Sequence, residues 1–384
     1  MEIYLDNSAT TCPYPEAAKA VADAMMNCYG NPSSLHRMGF EAEKKVKAAR
    51  EKIAASLGAV PGEVYFTGGG TEGDNISILG GARALKRKGK RIITSKIEHP
   101  AVLETFKALE SEGFETVYID TDEHGLIDIN QLKSEINDDT VLVSLMHVNN
   151  ELGTIQPVEE VSKLLTGKNK PLFHIDAVQS FGKLRMKSAV QAADMISMSS
   201  HKIHGPKGIG ALYIKKGVNI KTPVTGGGQE KGIRSGTENV PGIIGFGVAA
   251  ELSYRDFDRK IEDMRVVRQY LLDGIRAEIR DVKINSYEDE RCAASVLNVS
   301  FIGTRGEVLL HMLEENGIYV STGSACASNK KGQSHVLKAI GLTNDEIEGA
   351  IRFSFSEFNT RQEMDIVLEK LKKAVESIRK VTGR

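Results

Sequence analysis

From residue 63 to residue 214, short runs of nearly unbroken apolar residues alternate with helix-like segments, and this alternation narrows the fold more than any other feature. Strands are expected over 63–66, 91–95, 116–119, 141–147, 172–175, 195–198 and 211–214. Helices are expected between them over 71–86, 101–112, 129–136 and 158–165. A strand that is apolar on both sides must be covered on both faces, so the repeats specify a mainly parallel sheet with helices on either side. Upstream, helices are expected over 16–27 and 40–57, the latter with Ala42, Val46, Ala49, Ile53 and Leu57 at three-to-four-residue spacing. After about residue 250 the texture changes to a long charged helix, 256–279, with the stripe Ile261, Met264, Val267, Leu271 and Ile275. Strands over 297–302, 318–320 and 351–355 and helices over 307–316 and 362–381 complete a smaller α+β unit, and the first dozen residues are expected at the seam.

Bulk composition removes several classes of function. Fifty Lys and Arg stand against 51 Asp and Glu, a formal charge of −1, so there is no electrostatic footprint for nucleic acid or for a membrane surface. The apolar stretch 240–250 is interrupted by glycine and falls short of the ~18–20 residues a membrane span needs. Cys12, Cys28, Cys292 and Cys326 are widely spaced with no CxxC pair, which fits a reducing compartment. The N-terminus has neither a basic nor an apolar leader segment, so a cytoplasmic protein is expected.

In an open α/β sheet, ligands bind beyond the strand ends, and the residues there are suggestive. Lys202 follows strand 195–198 between His201 and His204; it is either a solvated charge or a Schiff-base lysine whose amine is made nucleophilic by its surroundings. The turn Thr67-Gly68-Gly69-Gly70-Thr71 joins a strand to a helix. It is either an ordinary capped turn or an anion site made of backbone N–H groups and a helix N-terminus. It has neither P-loop nor GxGxxG spacing. Asp176 ends an apolar strand, where a carboxylate needs a cation or a strong donor. One such partner is the protonated pyridine nitrogen of pyridoxal phosphate (PLP), and a helix N-cap is the structural alternative. His99 and Asn150 also lie just past strands, and Gln179 stands three residues after Asp176. Arg352 interrupts an apolar strand, and its guanidinium either pairs internally or forks a substrate carboxylate. The two histidines around Lys202 lack a nearby Cys or acidic partner, so no metal site is expected. Cys326 lies among small residues with lysines behind it, either an incidental thiol or one with raised thiolate character.

Taken in order, these motifs resemble the cysteine desulfurases of the NifS/IscS type, PLP enzymes of the class V aminotransferase superfamily. The resemblance runs from Asp6-Asn7-Ser8-Ala9-Thr10-Thr11 through Gly30-Asn31-Pro32, Glu98-His99-Pro100, Asn149-Asn150-Glu151 and His174-Ile175-Asp176-Ala177-Val178-Gln179. It continues through His201-Lys202, Arg234-Ser235-Gly236-Thr237, Gly323-Ser324-Ala325-Cys326 and Ile351-Arg352-Phe353-Ser354. It implies the fold type I PLP-transferase fold, with a seven-stranded-type sheet in a large domain over 13–257 and a small domain from 1–12 and 258–384. The small domain would carry the cysteine loop, about 321–333.

By the same resemblance Lys202 would be the Schiff-base lysine and the base that moves the α-proton. Asp176 would hold the pyridine nitrogen, His99 would stack on the ring, and Asn150 and Gln179 would contact its edge. Gly70, Thr71, Ser199 and His201 would hold the phosphate with Thr237 from the second subunit of a homodimer. Arg352, Asn31 and Asn150 would take the carboxylate of L-cysteine, and Cys326 would accept its sulfur as a persulfide, releasing L-alanine. The sulfur would pass to an acceptor protein, either an iron–sulfur scaffold or a tRNA-thiolation enzyme. Gly68 stands where the family often has serine, which removes a hydroxyl but leaves the backbone donors. A selenocysteine lyase or aminotransferase of the same fold is the alternative, since neither needs a persulfide on Cys326. A non-catalytic sulfur relay has no reason to keep Lys202, Asp176, His99 and Cys326 together.

Overall fold

The computed structural model describes residues 2–167, 170–322 and 333–382, which build a seven-stranded sheet, a four-stranded sheet and their covering helices. The large sheet runs in space as Val64–Thr67, Gly210–Ile214, Met195–Ser199, Leu172–Asp176, Thr140–Met146, Arg91–Ser95 and Glu115–Ile119. The five strands from Met195–Ser199 to Glu115–Ile119 are parallel, as the βα alternation requires. Gly210–Ile214 is antiparallel to both of its neighbours, and the reason is the length of its connection. A parallel crossover takes about a dozen residues or more. The link 200–209 is shorter, so the chain doubles back with Ser199 opposite Gly210. Val64–Thr67, antiparallel to that strand in turn, again runs with the other five. The segments after Thr67, Ser95, Met146, Asp176 and Ser199 therefore all leave the sheet at one edge.

Alternate residues of the strands feed two different cores, as a period of two dictates. Ile92, Leu142, Met195 and Leu212 pack with Ile76, Val102 and Phe106 on one face. Ile93, Val143, Ile196 and Ala211 pack with Ala42, Val46, Ile53 and Phe246 on the other. Helices Gly70–Leu85 and Pro100–Ser111 cover the first face, and Arg37–Leu57 and Val240–Tyr254 lie on the second. The last of these is the chief difference from the sequence expectation, in which 240–250 stands only as a glycine-interrupted apolar stretch. Its glycines do not break the helix; they let neighbours approach. A Cβ on Gly247 would lie 2.9 Å from the Cα of Ala49, and one on Gly245 would lie 2.5 Å from Val21 Cγ2. Pro241 in the first turn and the Asn239 side chain, which accepts from Gly242 N, start the helix.

The smaller sheet, Ser321–Thr322, Ala350–Ser354, Val296–Phe301 and Val282–Ile284, is antiparallel. It packs under helices Phe257–Glu278 and Arg361–Thr382 around Leu271, Phe301, Phe353 and Leu371. Val282–Ile284 goes unanticipated because three half-buried residues carry no period. The chain start joins this core through Ile3 and Leu5, and Ile3–Tyr4 pairs with Ile318–Tyr319. No helix among the described residues is long and apolar enough to cross a membrane.

Candidate active site

Lys202 sits in the short link that reverses the sheet, and its Nζ donates to the carbonyls of Ser8 (2.6 Å) and Ala9 (2.8 Å). The same link is tied down at Thr11, whose N and Oγ1 both donate to His201 O, and at His201 Nδ1, 3.1 Å from Thr10 Oγ1. The N-terminal segment thus crosses the strand edge and presents backbone carbonyls to the lysine.

Asp176 ends its strand 5% exposed, with Oδ1 accepting from Val178 N at 2.9 Å. Burial pushes its carboxyl up, while the charges of His99 and Lys202 pull it back, so the three groups form one electrostatic unit. His99 caps helix Pro100–Ser111: its Nδ1 accepts from Ala101 N at 3.1 Å, which leaves the ring proton of the neutral imidazole on Nε2. Burial lowers its affinity for a second proton. Two residues given no role in the sequence expectation reinforce the demand for a cation at Asp176. Glu98, fully buried, is pushed up to about 8, first by burial, with Asp176 adding to the push. Asp74, on the inner face of helix Gly70–Leu85, is raised by burial and then by Asp176. Charge on either would repel charge on Asp176, so both carboxyls are disfavoured as anions beside it. Neither is legible in sequence, because each lies inside an ordinary helical or loop segment and acquires its partner through the fold.

The Gly68–Thr71 turn lies against the same loops. A Cβ on Gly70 would come 2.5 Å from Val178 Cγ2 and 3.8 Å from Ser199 Cβ, while one on Gly69 would meet nothing within 4 Å. The turn is packed on one side and open on the other, with its N–H groups at a helix start, a geometry that suits an anion. Within the chain, the Glu72 carboxylate accepts from Gly68 N and pairs with Arg234 Nε at 3.2 Å. Burial, then the positive charges of Lys202, Lys207 and Lys183, bring His201 down to about 4, so it is a neutral hydrogen-bonding group here.

Arg352 is 3% exposed, with Nη1 on Asn150 O (3.0 Å) and Nη2 on Asp6 Oδ1 (2.7 Å). Its buried Nε has no hydrogen-bond partner, an unsatisfied donor that suits an arriving carboxylate oxygen. The internal pairing of this residue is thus observed, and one donor, Nε, remains unpaired. Gln179 is engaged on both sides, donating to Ser8 O (2.8 Å) and accepting from Lys183 Nζ (3.0 Å). Lys183 is another residue that sequence reasoning overlooks; its sole sequence signal is the i,i+4 spacing from Gln179.

The edge therefore gathers Gly70, His99, Asp176, Gln179, Ser199, His201 and Lys202, with Asn150 and Arg352 joined to one another beside them. Thr71 and Thr237 are exposed, and Asn31 is exposed with Oδ1 occupied by Ser33 N of its own turn. Cys326 lies outside the described residues. His204, with no role expected beyond shaping the bend, adopts φ 63° and packs its ring on Tyr14 and Phe358, with Nε2 3.3 Å from Glu357. Among the described residues no group of His, Cys, Asp and Glu is arranged to hold a metal.

The residues present fit PLP: a buried carboxyl needing a cation for the ring nitrogen, an open N–H turn for the phosphate, and a lysine amine at the same edge. Comparison with known proteins points the same way. The family model described as Aminotransferase class-V matches residues 3–367. A Clostridium botulinum protein named cysteine desulfurase IscS is 44% identical over 382 residues, 99% of this chain and 96% of the relative. A solved structure titled NifS-like protein superposes with a TM-score of 0.91 at 39% identity, covering 98% of this chain and all of that one. Another, titled SspA in complex with cysteine, does so with a TM-score of 0.82 at 34% identity, covering 94% of this chain and all of that one.

Proposed function

The chain belongs to the aminotransferase class-V family, and from that premise we propose that it is a PLP-dependent L-cysteine desulfurase. The observation that carries the reading is the gathering of Lys202, the buried Asp176 and His99 at the edge where the parallel strands end. When bound, PLP supplies an electron sink for the substrate α-carbon. Asp176 would hold the ring nitrogen's proton, His99 would cover the ring face, and Gln179 and Asn150 would meet its edge. The backbone of Gly70 and Thr71, with Ser199 and His201, would hold the phosphate. Lys202 would carry the cofactor and would serve as the base that moves the proton at the substrate α-carbon. Arg352, aided by Asn150 and Asn31, would bind the substrate carboxylate. Cys326 then attacks the substrate sulfur as a thiolate: the C–S bond breaks, an S–S bond forms, and L-alanine leaves after protonation. The persulfide passes to an acceptor protein serving iron–sulfur assembly or tRNA thiolation.

The reading makes the protein a homodimer in which Thr237 of the partner subunit reaches the phosphate. Support comes from a run of exposed large apolar side chains, Met25, Met26, Tyr29, Leu35, Met38 and Phe40, on the segments flanking Asn31. Single exposed apolar residues are ordinary on a monomer, but such a cluster is typical of an interaction surface. Residues 13–257 form the large domain, and 1–12 with 258–384 the small one; the separate apolar cluster around Leu271 and Phe353 supports that division. A cytoplasmic location is supported by Cys12, Cys28 and Cys292, which are all free thiols. The test is turnover of cysteine by the PLP-loaded protein with alanine and persulfide both measured. Cys326→Ala should bind cysteine yet form no persulfide, and Lys202→Ala should lose the cofactor's absorbance band. Full alanine and sulfide turnover by Cys326→Ala would refute the mechanism.

A further inference from the structure

Two lysine amines approach the candidate site, and the mechanism uses one. Lys202 Nζ and Gln179 Nε2 converge on the same acceptor, the Ser8 carbonyl, at 2.6 and 2.8 Å. Behind the amide stands Lys183, 9% exposed, whose Nζ donates to Gln179 Oε1 at 3.0 Å. These partners define the amide orientation uniquely. A carbonyl can only accept, so Ser8 needs the N–H side; Lys183 donates, so it needs the oxygen side. The reversed amide would set two acceptors against each other at Ser8 and two donors at Lys183. With Lys202 engaged by a cofactor, the Ser8 carbonyl and Lys183 would remain as the two contacts that fix the amide.

We propose that Lys183 is a positioning residue for the cofactor: it holds the Gln179 oxygen, so that the amide's remaining N–H faces the edge of the ring. The inference rests on the PLP reading above and assigns Lys183 no contact with substrate. Its charge matters as well as its hydrogen bond. Burial first, then repulsion from Lys202 and Arg352, brings the Lys183 ammonium down to about 7, with Glu357 pulling it back up. The other titratable groups around the small cavity beside it are Tyr14, His204 and Lys260. A positive Lys183 therefore disfavours further positive charge at Lys202.

The test measures the PLP dissociation constant of the full-length protein and the pH midpoint of the bound cofactor's absorbance band. Lys183→Met should weaken PLP roughly tenfold, because the buried Gln179 oxygen loses its donor. It should also move the midpoint to higher pH, because a neighbouring positive charge is gone. Lys183→Arg keeps a donor that does not titrate in this range. It should restore most of the affinity and hold the midpoint at or below the parental value. Should the Met variant fail to fold, Lys183→Gln, an uncharged donor, should raise the midpoint as well. Parental affinity and midpoint in Lys183→Met, a parental midpoint in Lys183→Gln, or identical behaviour of Met and Arg overturns the proposal. A parent protein that shows no band with PLP refutes the cofactor reading instead, so the two failures are distinguishable.

Discussion

Replacing Glu357 by Gln should destabilise the protein in a pH-dependent way that the geometry around His204 specifies. His204 Nδ1 lies 2.7 Å from Cys12 O, and its Nε2 lies 3.3 Å from the Glu357 carboxylate. Both partners are acceptors, and the carboxylate lies within ion-pair distance of the ring. Tyr14 OH donates to the same carboxylate, and Lys260 Nζ stands 3.1 Å away. The carboxylate side chain is 13% and the imidazole 6% exposed. Burial alone would push Glu357 up; the bonds and charges of His204, Tyr14 and Lys260 outweigh it and hold the group well below the usual carboxylate range. Removing one partner of a buried pair costs about 3–5 kcal/mol. Gln keeps one acceptor oxygen, so Glu357→Gln should cost about 3 kcal/mol, at the low end of that range. The sign with pH follows from a depressed folded value. The contribution is complete above the ordinary value of 4.5 and is lost as pH falls through the folded one. Equilibrium guanidinium denaturation of parent and variant, without cofactor, should show a gap near pH 5.5 that narrows in acid below about 4.5. A double-mutant cycle with His204→Asn, which tolerates the left-handed backbone at φ 63°, isolates the pair. A gap under about 1 kcal/mol, the scale of a solvated surface pair, or one that widens in acid would refute the ion-pair assignment.

Arg352→Lys should raise KM for cysteine by roughly ten- to a hundredfold, because an ammonium cannot keep the Asp6 and Asn150 contacts and also offer the donor now on Nε. Steady-state kinetics with a KM within twofold of the parent would count against the carboxylate role. Gly70→Ala places a methyl 2.5 Å from Val178 Cγ2, so the Asp176–Gln179 segment must shift. A loss of about 1–3 kcal/mol in denaturation, with weaker PLP binding, is the expected outcome, and parental values in both would show that the turn yields freely.

The chain order of apolar strands and helices, and the strand-end positions of His99, Asn150, Asp176 and Lys202, can be read directly from the sequence, because local period and turn chemistry encode them. The parallel sheet and the edge at which its loops gather follow from that order alone. Elements without a period of their own escape this reading. Val240–Tyr254 looks broken in sequence, since the use of its glycines lies in Ala49 and Val21 on other helices.

Lys202 illustrates the division. As a residue type between two histidines it reads first as a surface charge and second as a nucleophile, and the motif order around it reverses that reading. What its amine touches, the carbonyls of Ser8 and Ala9, depends on a segment nearly two hundred residues earlier being laid across the strand ends. The support given by Lys183 through Gln179, the upward push on the carboxyls of Glu98 and Asp74, and the pairing of His204 with Glu357 likewise exist only in the folded chain. Burial and charge proximity are properties of the tertiary arrangement, and it is these that give a carboxyl, an amine or an imidazole its protonation state. The sequence by itself determined which chemical groups are present and at which strand ends they stand; only the folded structure decided which of them are charged and what each one holds.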